Sequence, residues 1–202
     1  MPPKSVAIIF IFSLCIAQIA LALDCSVPLE EINLDLWSTK SLPSPDRRWK
    51  FVSVGPKSSE KKAVLYIQNK DGAQRWKIGS LERDGTVFWS EDSKRLFLRD
   101  EYAADDTKIR VFDLTAQVPK EIDGLDRSIR KLIFTHISEK ETTLWLTYPH
   151  VCFVSGDSST IFLVADAPRV QITEISKGKK LSLQLSINVV TLQTHELSII
   201  KE

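Results

Sequence analysis

A short turn signature occurs three times along the chain, each time just before an apolar segment. In each copy one residue separates a serine from an aspartate, and a phenylalanine follows the aspartate after four more residues. Ser and Asp side chains accept hydrogen bonds from nearby backbone N–H groups, so the pattern predicts a repeated tight turn that leads into a buried strand. The copies are Ser44-Pro45-Asp46 with Phe51, Ser90-Glu91-Asp92 with Phe97, and Ser155-Gly156-Asp157 with Phe162.

Beyond Cys25 the dominant signal is that of short strands. Runs rich in Val, Ile, Phe, Trp and Thr are separated by clusters of Asp, Ser, Lys and Gly, which is typical of antiparallel β structure. Asn69-Lys70-Asp71-Gly72 and Arg83-Asp84-Gly85 are expected hairpin turns. The predicted strands are 49–54, 63–69, 75–80, 86–90, 95–100, 108–114, 143–148, 152–155, 160–165, 169–175, 181–190 and 196–200.

One segment, residues 126–137, has a helical period instead. Its apolar residues recur at i, i+3, i+4 and i+8, basic residues occupy the other face, and Asp126 is the expected N-cap. We expect the basic face to be solvated rather than to bind a ligand. The helix also explains why the second interval between turns is longer than the first. The apolar positions are Ile129, Leu132, Ile133 and Ile137, and the basic ones are Arg127, Arg130 and Lys131.

Around its turns the sequence resembles the blades of TolB-like, or WD40-like, β-propellers. Such blades read Trp-Ser-Pro-Asp-Gly-Lys, followed by an apolar strand, a hairpin and a second strand that ends in Asp-Leu. Residues 89–98, Trp-Ser-Glu-Asp-Ser-Lys-Arg-Leu-Phe-Leu, match best, and Ile-Arg-Val-Phe-Asp-Leu follows at 109–114. Ser44-Pro45-Asp46 carries the motif without its Trp, and the copy at Ser155 matches least. The resemblance covers two-thirds of the chain that follows residue 22.

The chain departs from this family pattern in two ways. Arg47, Ser93 and Ser158 stand where the family has Gly, and about three units are recognisable where propellers have at least four blades. The resemblance therefore implies a mainly β fold: antiparallel blade-like sheets of an incomplete β-propeller, open or completed by another chain, with one inserted helix. A β-sandwich with similar hairpins is the alternative.

The first 22 residues have the pattern of a signal peptide. Lys4 precedes a run from Val6 to Leu23 that is apolar except for two residues, and Ala20-Leu21-Ala22 offers small residues where a signal peptidase cleaves. The alternative is an uncleaved anchor, since the run approaches the length of a membrane span. We expect cleavage after Ala22, a single mainly-β domain at 23–202, a secreted or periplasmic location, and no membrane attachment afterwards.

Removal of this segment takes Cys15 with it and leaves Cys25 and Cys152. In an oxidising compartment two such residues are more often bridged than free. We therefore predict a disulfide between Cys25 and Cys152. The alternative is a buried thiol at one position and a terminal one at the other.

The chain offers few arrangements that could carry catalysis. His136, His150 and His195 are not at metal-ligand spacing, and the sequence contains no Cys-x-x-Cys unit. We expect His136 on the apolar face of the helix, His150 in a turn and His195 in a polar hairpin. Gly156-Asp157-Ser158 is similar to the nucleophile segment of trypsin-like proteases but lacks its following glycines, so Asp157 is expected to be a turn residue.

Two further groups have structural explanations. Four acidic residues crowd one hairpin but lack the spacing of a calcium loop, so we expect a solvated tip. Five tryptophans lie in or near predicted strands and are expected in the core, although exposure of Trp37 or Trp76 would favour carbohydrate binding. We assign no catalytic, cofactor or metal residue. The acidic residues are Asp100, Glu101, Asp105 and Asp106, and the tryptophans are Trp37, Trp49, Trp76, Trp89 and Trp145.

The charge balance limits the class of partner. The chain has 27 basic and 26 acidic side chains, so it lacks the basic excess of a nucleic-acid-binding protein. Together with the repeat and the N-terminal segment, this predicts an exported, non-enzymatic binding or assembly module that has a protein partner and no cofactor. The alternative is an exported hydrolase whose polar residues converge only in the fold.

Overall fold

A computed structural model describes residues 32–56, 61–103, 106–135, 148–155, 157–167 and 181–201. Several predictions lie outside these residues. They are the signal peptide at 1–22, the strand at 169–175, all but the last residue of the strand at 143–148, and the last two residues of the helix.

Within this part of the chain, thirteen strands form three antiparallel sheets, and there is one helix. Sheet 1 contains β2 (Lys40–Pro43), β3 (Trp49–Val54), β4 (Ala63–Asn69) and β5 (Arg75–Leu81). Sheet 2 contains β6 (Gly85–Trp89), β7 (Arg95–Ala103), β8 (Asp106–Asp113) and β9 (Lys120–Glu121), with β1 (Ile32–Leu34) beside β6. Sheet 3 contains β10 (Tyr148–Val154), β11 (Thr160–Ala167), β12 (Leu181–Asn188) and β13 (Thr194–Lys201), and helix α1 (Leu125–Thr135) precedes it in the chain.

Each sheet is a meander in which strands adjacent in sequence pair with one another. Such local pairing follows from the short polar turns between the apolar runs, because a tight turn places the next strand directly beside the last. Strand β1 is the exception. Ile32 lies opposite Val87 of β6, so β1 joins sheet 2 although sheet 1 follows it in the chain.

Sheet 2 lies between the other two sheets and is buried on both faces. All five residues of β6 are buried, the pattern of a strand covered on two sides. On one side, Leu96 and Leu98 of β7 form a core with residues of sheet 1 such as Phe51 and Leu65. Each such fully buried side chain contributes about 1.5–3 kcal/mol to folding.

A second core joins the opposite face of sheet 2 to sheet 3. Phe97 stacks on Phe88 with ring centroids 4.9 Å apart, and both belong to the cluster that includes Ile161 and Leu163 of β11. Alternate residues of β7 therefore face opposite cores, as the two-residue period of a strand requires.

Helix α1 covers one margin of this second core. Leu125 and Ile129 are buried there and Leu132 packs against the cluster, which confirms the predicted helix over the described residues. Asp126 is not the N-cap, because the helix begins one residue earlier. It lies in the first turn instead, and its carboxylate accepts a hydrogen bond from Arg130 at 2.8 Å.

The mainly-β prediction with three blade-like sheets and one helix is confirmed. A two-layer sandwich does not describe this part of the chain, since each sheet of a sandwich has one open face and sheet 2 has none. Strands β1, β2 and β9 were not among the predicted ones because they are short and partly polar.

The expected turn at His150 is wrong. Pro149 and His150 lie within β10, which runs from Tyr148 to Val154 at the edge of sheet 3. An edge strand tolerates proline because one of its sides needs no partner for its N–H groups.

Candidate assembly surface

The three Ser-x-Asp turns have one hydrogen-bonding pattern. In turn 2, residues 90–95, the Ser90 hydroxyl donates to Asp92 Oδ1 at 2.8 Å and accepts from the Arg95 amide at 2.9 Å. The Lys94 amide donates to the same Asp92 oxygen at 3.1 Å. Turn 1, residues 44–49, and turn 3, residues 155–160, repeat all three bonds. The predicted repeat of a tight turn is confirmed: the three turns join β2 to β3, β6 to β7 and β10 to β11.

The residue after the aspartate has a left-handed backbone in all three turns. Its φ angle is 59° at Arg47, 61° at Ser93 and 57° at Ser158. Glycine adopts this region without steric cost, whereas a residue with a Cβ atom adopts it at a steric cost. The turn therefore forms without the glycine of the family motif and retains a side chain at this position.

Two of these side chains connect one sheet to the preceding one. The Ser93 hydroxyl of turn 2 accepts a hydrogen bond from the Asp46 amide of turn 1 at 3.0 Å. The Ser158 hydroxyl of turn 3 donates to Asp92 Oδ1 of turn 2. Both serines are about 1% exposed. The turns thus form a chain of contacts along one end of the stacked sheets, always from the left-handed residue back to the preceding turn.

Hydrogen bonds within and between the turns favour the carboxylate form of Asp92 and Asp157. Partial burial on its own would raise the pKa of Asp92, but hydrogen bonds from the Ser158 hydroxyl, the Lys94 amide and the Ser90 hydroxyl outweigh it and lower the pKa to about 2. The pKa of Asp157 is also lowered to about 2, first by the Ser155 hydroxyl and then by the Ser159 amide.

The two ends of this series are exposed. Asp157 lies at the surface, with hydrogen bonds from Ser155 and Ser159 of its own turn. At the other end Arg47 is exposed, in the position that Ser93 and Ser158 use to reach a preceding turn. One end therefore presents a carboxylate and the other a guanidinium.

Sheets 1 and 3 each have one face that points away from sheet 2. In β11, Ile161, Leu163 and Ala165 are buried against sheet 2, so Phe162 and Val164 point to the opposite face and are half-exposed. In sheet 1 the corresponding outer face carries half-exposed apolar residues beside basic ones. These are Val52, Val54, Val64 and Tyr66, together with Lys50, Arg75 and Lys77.

A second polar cluster links sheets 1 and 2. Arg110 donates to both carboxylate oxygens of Glu121, at 2.9 and 2.7 Å, and to the Ile78 carbonyl of β5 at 2.7 Å. Gly79 provides the space, since a Cβ at that position would lie 2.8 Å from Arg110 Nη1. Arg110 therefore joins β8 and β9 of sheet 2 to an edge strand of sheet 1.

Asp100 belongs to the same cluster. The expectation that it lies on a solvated tip is therefore wrong. It is 8% exposed, because it lies two residues beyond Leu98 and therefore on the same face of β7 as Leu96 and Leu98, the face that packs on sheet 1. Burial raises its pKa to about 6, while Arg110 and Lys108 oppose the rise. The other acidic residues of that hairpin behave differently: Glu101 is half-buried and pairs with Arg99, and Asp105 lies outside the described residues.

The histidines do not form a site in the described part of the chain. His195 is exposed at the start of β13, His150 lies in β10, and His136 is outside the described residues. No group of three or more His, Cys, Asp or Glu side chains among the residues described here is placed to hold a metal ion.

Of the described tryptophans, three are packed against other residues and one is exposed to solvent. Trp89 is buried and its indole N–H donates to the Leu42 carbonyl at 3.2 Å, while Trp49 and Trp76 meet edge to face at 5.6 Å. Trp37, by contrast, is 73% exposed. Trp145 lies outside the described residues. The expected core position therefore fails at Trp37, which lies in a turn between β1 and β2 rather than in a strand.

The expected disulfide and the membrane prediction are only partly covered by the described residues. Cys152 is half-buried in β10, and Cys25 lies outside the described residues, so their disulfide stays a prediction. Among the described residues no helix has the length and apolar character needed to cross a bilayer.

No protein-family model matches the chain, and no curated protein sequence matches it significantly. Comparison with solved structures finds partial similarity to a protein assigned as TolB from Agrobacterium tumefaciens, with 10% identity and a TM-score of 0.39 over 81% of this chain and 50% of that one. A TolB from Acinetobacter baumannii matches with 12% identity and a TM-score of 0.32, over 79% and 44%. An oligogalacturonate lyase from Vibrio parahaemolyticus matches with 12% identity and a TM-score of 0.36, over 83% and 48%. The chain spans half or less of each of these structures.

Proposed function

We propose that the chain is an exported, non-enzymatic assembly module that docks a protein partner on the outer face of sheet 3, the face that points away from sheet 2. The observation that carries this proposal is the match between that face and the two interfaces already formed inside the chain. Turn 3 has the hydrogen bonds of turns 1 and 2, yet its Asp157 is exposed where Asp92 receives a serine from the next sheet.

The faces of the sheets support the same proposal. Phe51 and Phe97 lie at one position of the repeat and are fully buried. Phe162 occupies that position in sheet 3 and lies on the face that points away from sheet 2. A protein surface with an apolar strand and a hydrogen-bond donor for Asp157 would complement this face, as occurs twice within the chain.

The N-terminal sequence supports the compartment that we propose. The segment 1–22 with its Ala20-Leu21-Ala22 site supports export to the periplasm or the medium. The pair Cys25 and Cys152 fits an oxidising compartment. We therefore place the assembly outside the cytoplasm.

A photo-crosslinking experiment tests the docking face. A photoreactive phenylalanine analogue replaces Val164 in the full chain, expressed in cells that export it. The matched control carries the analogue at Ala73, an exposed position in the turn between β4 and β5. We expect a discrete crosslinked protein species from position 164 and none from position 73. Absence of a discrete species at 164, or equal yields at both positions, would contradict the proposal.

The hydrolase alternative has its own test. The exported protein is assayed with ester, peptide and glycoside substrates. Turnover that a single polar substitution abolishes would overturn the non-enzymatic assignment, and we expect none.

A further inference from the structure

We propose that the partner is a second copy of this chain, bound head to tail, so that the outer face of sheet 3 in one copy covers the outer face of sheet 1 in the other and Arg47 meets Asp157. This inference rests on the proposed function and names its partner. Each copy would contribute both surfaces, so a closed pair has two identical contacts.

The direction of the contact follows from the two interfaces inside the chain. In both of them the left-handed residue of one turn reaches the aspartate residue of the preceding turn: Ser93 meets Asp46, and Ser158 meets Asp92. Continuing the series by one step places turn 1 of a second copy on turn 3 of the first. The left-handed residue that then arrives is Arg47, and its target is Asp157.

Charge favours this pairing over a simple repeat of the serine contact. Arg47 is the one cation among the three left-handed turn residues, and it is exposed. Asp157 is an exposed carboxylate at the opposite end of the stack. A guanidinium and a carboxylate form a charge-assisted hydrogen bond of greater strength than a neutral pair. The two ends therefore complement each other rather than repel.

The faces also complement each other by position. Lys50 and Val52 of β3 stand at the repeat positions of Leu96 and Leu98 in β7, which face the preceding sheet. Val64 and Tyr66 lie beside them on β4 and are half-exposed. This face is apolar but less so than its counterpart in sheet 2, because a lysine replaces Leu96. The contact between copies should therefore be separable, unlike the cores within one chain.

The number of sheets is compatible with closure. Two copies bring together six of the sheets formed by the described residues, and closed radial arrays of such sheets have about four to eight. A contact between two different patches generates a ring when its rotation closes and a filament when it does not. The arrangement that we expect is the closed pair.

The first test measures the mass of the full exported protein in solution by sedimentation over a range of concentrations. We expect a reversible monomer–pair equilibrium. Arg47→Gly keeps the turn, because glycine suits the left-handed backbone, and it should raise the dissociation constant by about tenfold, since two exposed ion pairs are lost. Arg83→Ala removes an exposed arginine at the opposite end of the sheets and should leave the dissociation constant unchanged. Equal effects of the two substitutions would overturn the pairing.

The second test locates the contact. The crosslink from position 164 should have twice the mass of the exported chain, and peptide mapping should place its other end in β3 or β4. A monomer at all concentrations, or an assembly larger than a pair, would overturn this inference. A crosslink from position 164 to a different protein would also overturn it while leaving the proposed function intact. No crosslink at all would overturn both.

Discussion

Ser158 of sheet 3 donates a hydrogen bond to the carboxylate of Asp92 in sheet 2, a residue 66 positions earlier in the chain. This bond joins two turns that have the same internal geometry. It therefore acts between repeats rather than within one, and it fixes how sheet 3 sits on sheet 2 at the turn end.

Substitution of Ser158 by alanine should destabilise the fold. The change removes a donor to a carboxylate, and a hydrogen bond to a charged group contributes about 1.5–3 kcal/mol. Thermal or urea unfolding of the purified protein would measure the loss. Ser159→Ala is the matched control, because the described partners of the Ser159 hydroxyl, Asp157 and Thr160, both lie within turn 3. A loss equal to that of the control would contradict the role of Ser158 as a link.

The same bond predicts a pH dependence. The folded-state pKa of Asp92 is about 2, against an ordinary value of 3.8, so the carboxylate stabilises the fold above the ordinary value. That contribution is lost as the pH falls through 3.8 towards 2. The difference in unfolding free energy between the natural protein and Ser158→Ala should therefore narrow over this range. A difference that stays constant down to pH 2 would contradict the assignment.

Asp100 should behave in the opposite sense. Its folded-state pKa is raised to about 6 by burial, so the folded protein binds a proton more tightly than the unfolded chain between pH 3.8 and 6. Stability then falls as the pH rises through this window. Asp100→Asn removes the buried charge and should stabilise the protein at pH 7, by on the order of 1 kcal/mol. Asp84→Asn is the control at an exposed position. Lower stability of Asp100→Asn at pH 7 would show that attraction to Arg110 outweighs burial.

Gly79→Ala should be strongly destabilising for a surface-proximal glycine. Its φ angle is 148°, and the added Cβ would lie 2.8 Å from the guanidinium of Arg110, which Glu121 and the Ile78 carbonyl hold in place. We expect a loss of about 1–3 kcal/mol. Gly72→Ala shares a positive φ of 73° but meets no atom nearer than 3.6 Å. The excess loss at position 79 over position 72, measured by urea unfolding, reports the contact with Arg110.

The turns and most strands could be predicted because their causes are local. A Ser-x-Asp turn is closed by side chains within five residues of one another, so the local sequence is sufficient to predict the turn. The links between turns are different. Ser93 and Ser158 look like ordinary turn residues, and only the stacking of the sheets brings Asp46 and Asp92 within reach. Their shared position after the aspartate was the one available signal.

The burial of Asp100 could have been predicted from the period of its strand, but the acidic composition of the hairpin favours the opposite expectation. Its neighbours in the acidic hairpin favour a solvated tip, whereas its two-residue spacing from Leu98 and Leu96 places it on their buried face. Composition describes a segment as a whole, but the strand period decides each side chain separately. The turn expected at Pro149 failed for a related reason, since proline interrupts a central strand but not an edge strand, and the edge is set by tertiary pairing.

The predicted disulfide can be tested by counting thiols. Exported protein that has been denatured without reduction should contain no titratable thiol at Cys25 and Cys152, because a bridge consumes both. Reduction before the assay should release two thiols, which serves as the control. Two titratable thiols in the unreduced sample would contradict the bridge. N-terminal sequencing of the same sample should begin at Leu23 if cleavage follows Ala22.

Arg47→Gly separates the stability of one copy from the association of two. A non-glycine residue in the left-handed region costs about 1–2 kcal/mol relative to its usual backbone conformation. Glycine avoids this cost, but part of the gain is offset because glycine makes the unfolded chain more flexible. At protein concentrations below the dissociation constant, Arg47→Gly should therefore raise the melting temperature slightly, whereas Arg47→Ala keeps the strain and should not. Both substitutions remove the guanidinium and should weaken pairing alike. If Arg47 is retained for association, the single copy should be less stable with arginine than with glycine at this position. A melting temperature that is lower in Arg47→Gly would instead show that the arginine side chain stabilises the single copy.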